Sequence, residues 1–186
     1  LGSEASFVKI DVSNERDWES AMAEVEEKLG PLDVLVNAAG ISVPSPIDEA
    51  TFEHWKQTMA VNLDGTFNMI YAVKDEMIKR HFGRIVTVSS IAALRERENQ
   101  VHYSASKAAV IAMTRCCAQA WARHNIRLNC LCPGLTETEM AHTLSPEVHK
   151  KIIDATPIGR IGTADELASV ARFLLSEESS YMTGQT

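Results

Sequence analysis

Four short strand-like runs alternate with helical stretches of 12 or more residues, and this alternation constrains the chain more than any other feature. The runs are Phe7–Ile10, Leu32–Val36, Arg84–Val88 and Ile126–Leu131. Successive strands separated by a helix run parallel, because a tight turn cannot return the chain to the same end of a sheet. The expected fold class is therefore α/β, a doubly wound parallel sheet with helices on both faces. Each run ends in polar or flexible residues: Asp11-Val12, Asn37–Gly40, Ser89-Ser90 and Pro133-Gly134. In open α/β sheets the ligand crevice lies at the carboxyl ends of the strands, so these four ends converge on one expected site.

The helices carry their own punctuation. Ser13 is the expected N-cap of a helix over 14–29, with Trp18, Met22, Val25 and Leu29 at helical spacing and Gly30-Pro31 as the stop. The near-continuous apolar run 32–36 reads as a strand covered on both faces. A long helical region over 51–80 is expected to loosen near Asn62–Gly65 and to end at Gly83. A helix rich in small residues spans 103–124, and 135–157 reads as loop or weak helix. Thr163-x-x-Glu166 is a capping box that opens a last helix through Leu175.

Composition narrows the function classes. The 186 residues suit a single domain, and a formal charge of −7 argues against nucleic acid or an anionic membrane as the main partner. No apolar run approaches the roughly 20 residues of a membrane span, and residues 1–6 do not resemble a secretory signal, so an intracellular, cytoplasmic domain is expected. Cys116-Cys117 and Cys130-x-Cys132 read as small reduced core residues, and no metal site is expected from these or from the six histidines.

Tyr103-x-x-x-Lys107 is the strongest chemical pattern. Spacing of i, i+4 at a helix start places phenol and ammonium on one face, where the cation favours the phenolate and makes Tyr103 a usable proton donor and acceptor. An ordinary helix start with a surface lysine is the bland alternative. Ser90 stands at a strand end 13 residues earlier, placed to hydrogen-bond a carbonyl or alkoxide; Ser89 competes for that role, and either serine also suits capping of the next turn. Asn62 sits in an apolar helical stretch and needs a partner or a water; a local kink satisfied by backbone is the alternative.

Asn37-Ala38-Ala39-Gly40, Asn62, Ser90, Tyr103-x-x-x-Lys107 and Pro133-Gly134, in this order, resemble the short-chain dehydrogenase/reductase family, in its subfamily typified by 3-oxoacyl-carrier-protein reductases. The likeness runs over essentially the whole chain, through Pro157–Gly162 and Tyr181–Gln185. It implies a Rossmann-like fold and an oxidoreductase that interconverts a secondary alcohol and a ketone with NAD or NADP. Tyr103 would be the acid/base, Ser90 would polarise the carbonyl, Lys107 would lower the Tyr103 pKa and bind the nicotinamide ribose, and Asn62 would hold a relay water. Asp11 and Val12 match the adenine-contacting pair, and Asn37, Ala38, Ala39 and Gly40 match the motif beside the adenosine ribose. Pro133, Gly134, Thr136 and Thr138 match the loop that grips the carboxamide. The substrate lid would span 139–160, with Gly159 and Gly162 as hinges.

The family's T-G-x-x-x-G-x-G loop and its first βαβ unit have no counterpart here, nor does its final strand, so the residues are expected to belong to a parent nearer ~250 residues. A scaffold or binding protein that has lost dinucleotide binding is the alternative to an enzyme. Helices over 51–80 and 104–123 match those that pair subunits in this family, with Phe67, Tyr71, Met113 and Trp121 as candidate anchors for a homo-oligomer, a dimer or tetramer, and core packing against the sheet as the equal alternative for each. The Arg95–Glu98 run reads as a solvated loop.

Overall fold

Three parallel strands in the order β1 (Val34–Asn37), β2 (Gly83–Val88) and β3 (Ile126–Leu131) form the sheet in the computed structural model, which describes residues 5–95, 98–142 and 144–186. Glu96 and Arg97 of the charged run lie outside the described residues, as does the start of the chain at 1–4. Helices α1 (Glu15–Leu29), α2 (Phe52–Met59), α3 (Gly65–Arg80), α4 (Val101–Trp121), α5 (Glu139–His142), α6 (Pro146–Asp154) and α7 (Ala164–Leu175) connect or follow the strands.

Register explains which helices lie where. Leu35, Ile85 and Leu128 stand side by side across the three strands and enter one core with Met22 of α1, Ile70, Val73 and Met77 of α3 and Ala118 of α4. The next row on that face, Asn37–Thr87–Cys130, is tied to the same helices: Asn37 Nδ2 donates to the Thr66 carbonyl at 2.9 Å, and Thr87 Oγ1 lies 2.7 Å from Thr114 Oγ1. Alternate residues point the other way. There Arg127 donates through both terminal nitrogens to the carbonyls of Leu174, Ser176 and Ser179, and Arg84 pairs with Glu177 at 3.0 Å. Two buried arginines thus staple the end of α7 and its following turn to the sheet. Residues 183–185 bond along the outer side of β3, with Gly184 N donating to Leu128 O at 2.7 Å and Gln185 O accepting from Cys130 N at 2.8 Å.

Several expectations need correction. Residues 7–10 are not a strand, since a strand needs a ladder and, among the described residues, β2 is the one strand that pairs with β1. β1 is covered on one face: Leu35 is buried, whereas Val34 and Val36 are 44% and 46% exposed. The N-cap of α1 is Asn14, whose side chain accepts from Arg16 N, while Ser13 folds back on Asp11. Helix α3 ends at Arg80 with His81 at φ 52°, and Gly83 instead opens β2 where a Cβ would sit 2.5 Å from Met77 Sδ. The segment expected as loop or weak helix contains α5 and α6, the latter capped by Ser145. Cys116 is exposed on α4, not a core residue, and all four cysteines are free thiols. Met113 and Trp121 pack against the core, whereas Phe67 and Tyr71 stand exposed and stacked at 5.6 Å.

Candidate active site

The loosening expected near Asn62 is a π-helical turn over Ala60–Asp64, sandwiched between α2 and α3. Such a turn carries an extra residue and re-aims side chains, and π-turns of this kind recur at functional sites. Here it drives Asn62 fully inward, at 0% exposure. Its Oδ1 accepts from Ile41 N at 2.8 Å, and its Nδ2 donates to Ile41 O at 3.0 Å and to Ser106 Oγ at 3.1 Å. The amide is fully engaged in fixing the loop after β1 to α4. Its backbone carbonyl accepts from Thr66 Oγ1 at 2.8 Å.

The neighbouring Gly40 explains why that loop is glycine there. A Cβ would lie 3.1 Å from Lys107 Nζ and 3.3 Å from Asn62 Oδ1, tighter than ordinary contact with both. Lys107, 4% exposed, donates from Nζ to the Val88 carbonyl at the end of β2, 2.9 Å away. No carboxylate among the described residues pairs with it. Burial pushes its pKa down from the ordinary lysine value.

The two serines at the end of β2 separate cleanly. Ser89 is buried and donates to the Lys107 backbone carbonyl at 2.7 Å, so it holds α4 against the strand end. Ser90 faces the Tyr103 phenol and also caps the short turn 91–93, its Oγ accepting from Ala92 N at 3.1 Å. With a lone pair taken by that amide, its hydroxyl proton is available to an oxygen in front of it.

Loss of water pushes Tyr103 above its ordinary value, and hydrogen bonding by Ser90 offsets part of that rise. Lys107 Nζ lies 5.8 Å from the Tyr103 ring centroid and donates to the Val88 carbonyl.

Tyr103, Lys107 and Ser90 line one cavity of about 530 Å³, within the size range of small-molecule sites. Ala38, Gly40, Pro133, Gly134, Thr136 and Thr138 line it too, so the predicted residues of the ends of β1, β2 and β3 converge there. Pro133 O accepts from Ile91 N at 3.0 Å, and the Thr136–Gly162 bridge fixes the far side of that loop. Asn37, whose side chain is tied to the Thr66 carbonyl, and Ala39 are not among its lining residues. Asp11 and Val12 do not line it. The Asp11 carboxylate accepts from Ser13 N and Oγ, which holds its pKa below the ordinary value, and Val12 packs where a Cβ on Gly65 would meet it at 2.6 Å.

Sequence reasoning missed His102. It is buried, and its Nε2 lies 2.8 Å from the Val43 carbonyl, which makes that nitrogen the N–H donor. With Gln100 Nε2 donating to Ser42 Oγ at 3.2 Å and Ser45 N to Asn99 O at 2.8 Å, it clips loop 41–45 to the start of α4. Its place beside Tyr103 in sequence was the available signal.

Comparison with known proteins follows the same lines. A family profile described as Enoyl-(Acyl carrier protein) reductase matches residues 1–186. Acetoacetyl-CoA reductase of Shinella zoogloeoides is 40% identical over 179 residues, covering 96% of this chain and 74% of that protein. The 3-oxoacyl-(acyl-carrier-protein) reductase FabG of Chlamydia muridarum is 37% identical over 184 residues, 99% of this chain and 74% of the relative. Among solved structures, a gluconate 5-dehydrogenase from Burkholderia cenocepacia in complex with NADP and tartrate superposes with a TM-score of 0.91 at 37% identity, covering 95% of this chain and 70% of that one.

Proposed function

This chain belongs to the short-chain dehydrogenase/reductase family of oxidoreductases, and from that premise we propose that it interconverts a secondary alcohol and a ketone with NAD or NADP, with Tyr103 as the proton-transferring group. The observation that carries this reading is the convergence of Tyr103, Ser90 and Lys107 on one cavity at the ends of three parallel strands.

The residues present fit the nicotinamide–ribose half of such a cofactor. Lys107 is a buried ammonium with one carbonyl partner and unspent donors beside the cavity, suited to ribose hydroxyls. Gly134 leaves open space where a Cβ would project, so a flat ring can approach the backbone of the Pro133–Thr138 loop. Lys107 and Tyr103 would hold the ribose, and Pro133, Gly134, Thr136 and Thr138 the carboxamide. Asn37, Ala38, Ala39 and Gly40 are assigned to the adenosine-ribose side, with Asp11 and Val12 at the adenine. When bound, the nicotinamide supplies or accepts the hydride.

The chain's own part is proton transfer and charge stabilisation. Tyr103 gives its proton to the ketone oxygen in reduction and takes it back in oxidation. Ser90 hydrogen-bonds the same oxygen as charge develops on it. Asn62 serves the relay by position, holding Ile41 and hence Gly40 against Lys107. The 139–160 segment is the substrate lid within one domain, and Gly159, at φ 72°, is its hinge; Gly162 is held in the bridge to Thr136. The exposed, stacked Phe67–Tyr71 pair supports the reading of the α3 face as the subunit contact of a homo-oligomer. No helix among the described residues is long and apolar enough to cross a membrane, and we place the protein in the cytoplasm.

Tyr103→Phe tests the reading. It removes the transferable proton and leaves the ring's packing, so the ketone-reducing kcat falls roughly 10²–10⁴-fold with the melting temperature unchanged. A variant that keeps the parental rate refutes it.

A further inference from the structure

Helix α4 carries two stripes of side chains that run next to each other, each one turn long. Tyr103 and Lys107 face the cavity. Their neighbours His102 and Ser106 stand about 100° away around the helix axis and are buried, at 2% and 0% exposure. This second stripe holds the loop that follows β1. Ser106 Oγ accepts from Asn62 Nδ2 at 3.1 Å, and Asn62 in turn grips Ile41 at both its N–H and its carbonyl. His102 reaches two residues further along the loop, donating from Nε2 to the Val43 carbonyl at 2.8 Å. Behind it stands the His54 ring of α2, with the two centroids 6.5 Å apart.

The loop so held is a wall of the cavity. Ser42 and Pro44 line it together with Gln100 and Tyr103, and Val43 lies between the two lining residues. The Val43 side chain is 43% exposed, so its backbone is fixed by the carbonyl bond more than by packing. Among the described residues, two side chains of α4 and its approach reach the loop beyond Ile41. Gln100 bonds the Ser42 hydroxyl at 3.2 Å, and the His102 bond is the shorter and comes from the more buried group. A rigid imidazole locked by burial holds its partner more closely than a flexible side chain at the surface does. Because His102 precedes Tyr103 on the same helical turn, the bond joins the wall to the element that carries the phenol.

We propose that His102 is a positioning residue for the substrate: from behind the cavity it ties the Ser42–Pro44 wall to the helical turn of Tyr103 and so fixes the gap in which the ketone is held. The inference rests on the ketone-reducing reading above and adds a group that acts through the loop. Contacts from this wall fall on the part of the ketone that does not react, and they are equally strong before and during the chemical step. Their loss therefore raises KM and spares kcat. Lys107 and the Pro133–Thr138 loop are anchored elsewhere, at the Val88 carbonyl and the Thr136–Gly162 bridge, so cofactor affinity is spared as well.

The test uses the full-length protein with ethyl 3-oxobutanoate as the ketone and NADPH or NADH. His102→Phe keeps the ring volume and deletes the donor, and KM is expected to rise roughly three- to tenfold, the worth of one hydrogen bond. In the same variant kcat and the Kd for the reduced cofactor stay within about twofold of the parent. His102→Gln carries an N–H at about the reach of Nε2 and restores KM to within about twofold, whereas His102→Asn is too short and does not. Where the Phe variant fails to fold, the Asn and Gln variants supply the same contrast. Hydrogen exchange reads the loop without turnover. The Ser45 amide, bonded to the Asn99 carbonyl at 2.8 Å, exchanges faster in the Phe and Asn variants, while the Ile41 amide held by Asn62 keeps its protection. A parental KM in these variants, or a Gln variant as impaired as they are, overturns the proposal and leaves the oxidoreductase reading standing. A parent that reduces no ketone sinks that reading, and the exchange contrast then decides the tie: faster exchange at Ser45 alone upholds it, and unchanged exchange or equal loss at Ile41 overturns it.

Discussion

Asn62→Ala perturbs the point on which the loop after β1 is hung. The substitution deletes an acceptor for Ile41 N, a donor to Ile41 O and a donor to Ser106 Oγ, at 2.8, 3.0 and 3.1 Å. Ser106 keeps a partner, since its Oγ also donates to the Tyr103 carbonyl at 2.8 Å. The two Ile41 groups are part-buried and lose their partner outright, at about 1–1.5 kcal/mol each, and the vacated space adds a smaller packing loss. The expected total is roughly 3 kcal/mol, a large share of the marginal stability of a domain. Urea unfolding followed by circular dichroism measures it, with an unchanged m-value expected because the surface exposed on unfolding is the same. Activity falls as well, since Gly40 and Lys107 lose their support. A stability loss below about 1 kcal/mol would refute the claim that this amide holds the loop.

Three more outcomes follow from the same geometry. Gly40→Ala puts a methyl group 3.1 Å from Lys107 Nζ, and the displaced ammonium lowers kcat/KM roughly tenfold with little change in melting temperature; parental kinetics would remove Gly40 from the site. Arg127→Met strips the donors that hold the carbonyls of Leu174, Ser176 and Ser179, costing roughly 3 kcal/mol and exposing residues 176–185 to limited proteolysis; an unchanged cleavage pattern contradicts the staple. Glu166 is held at about 2 by Arg160 and the Thr163 amide, against an ordinary 4.5. Its contribution is therefore present above about pH 4.5 and lost as pH falls through 2. In Arg160→Ala that acid-dependent loss shrinks and is complete at a higher pH, read from melting temperatures between pH 2 and 5; superimposed profiles for parent and variant would refute it.

Local chemistry settled much of the fold in advance. Apolar runs bounded by turn residues located β2 and β3 to within a residue, because a buried parallel strand writes itself as a continuous apolar segment. The Thr163–Glu166 capping box and the Gly30 stop, at φ 79°, are equally local devices and stand as read. So does the break at Asn62–Gly65, since a buried asparagine and a glycine disfavour a regular helix wherever the chain goes. Tertiary packing decided the rest. Phe7–Ile10 has strand composition, but a strand exists only through a partner's ladder. Ser89 and Ser90 are neighbours of identical chemistry, and only the register of β2 against α4 turns one to the Lys107 backbone and the other to the Tyr103 phenol. Spacing placed Tyr103 and Lys107 one turn apart, yet the sign of the Tyr103 shift came from how much water the folded site excludes. That quantity belongs to the assembled walls of the cavity and to no segment of the sequence alone.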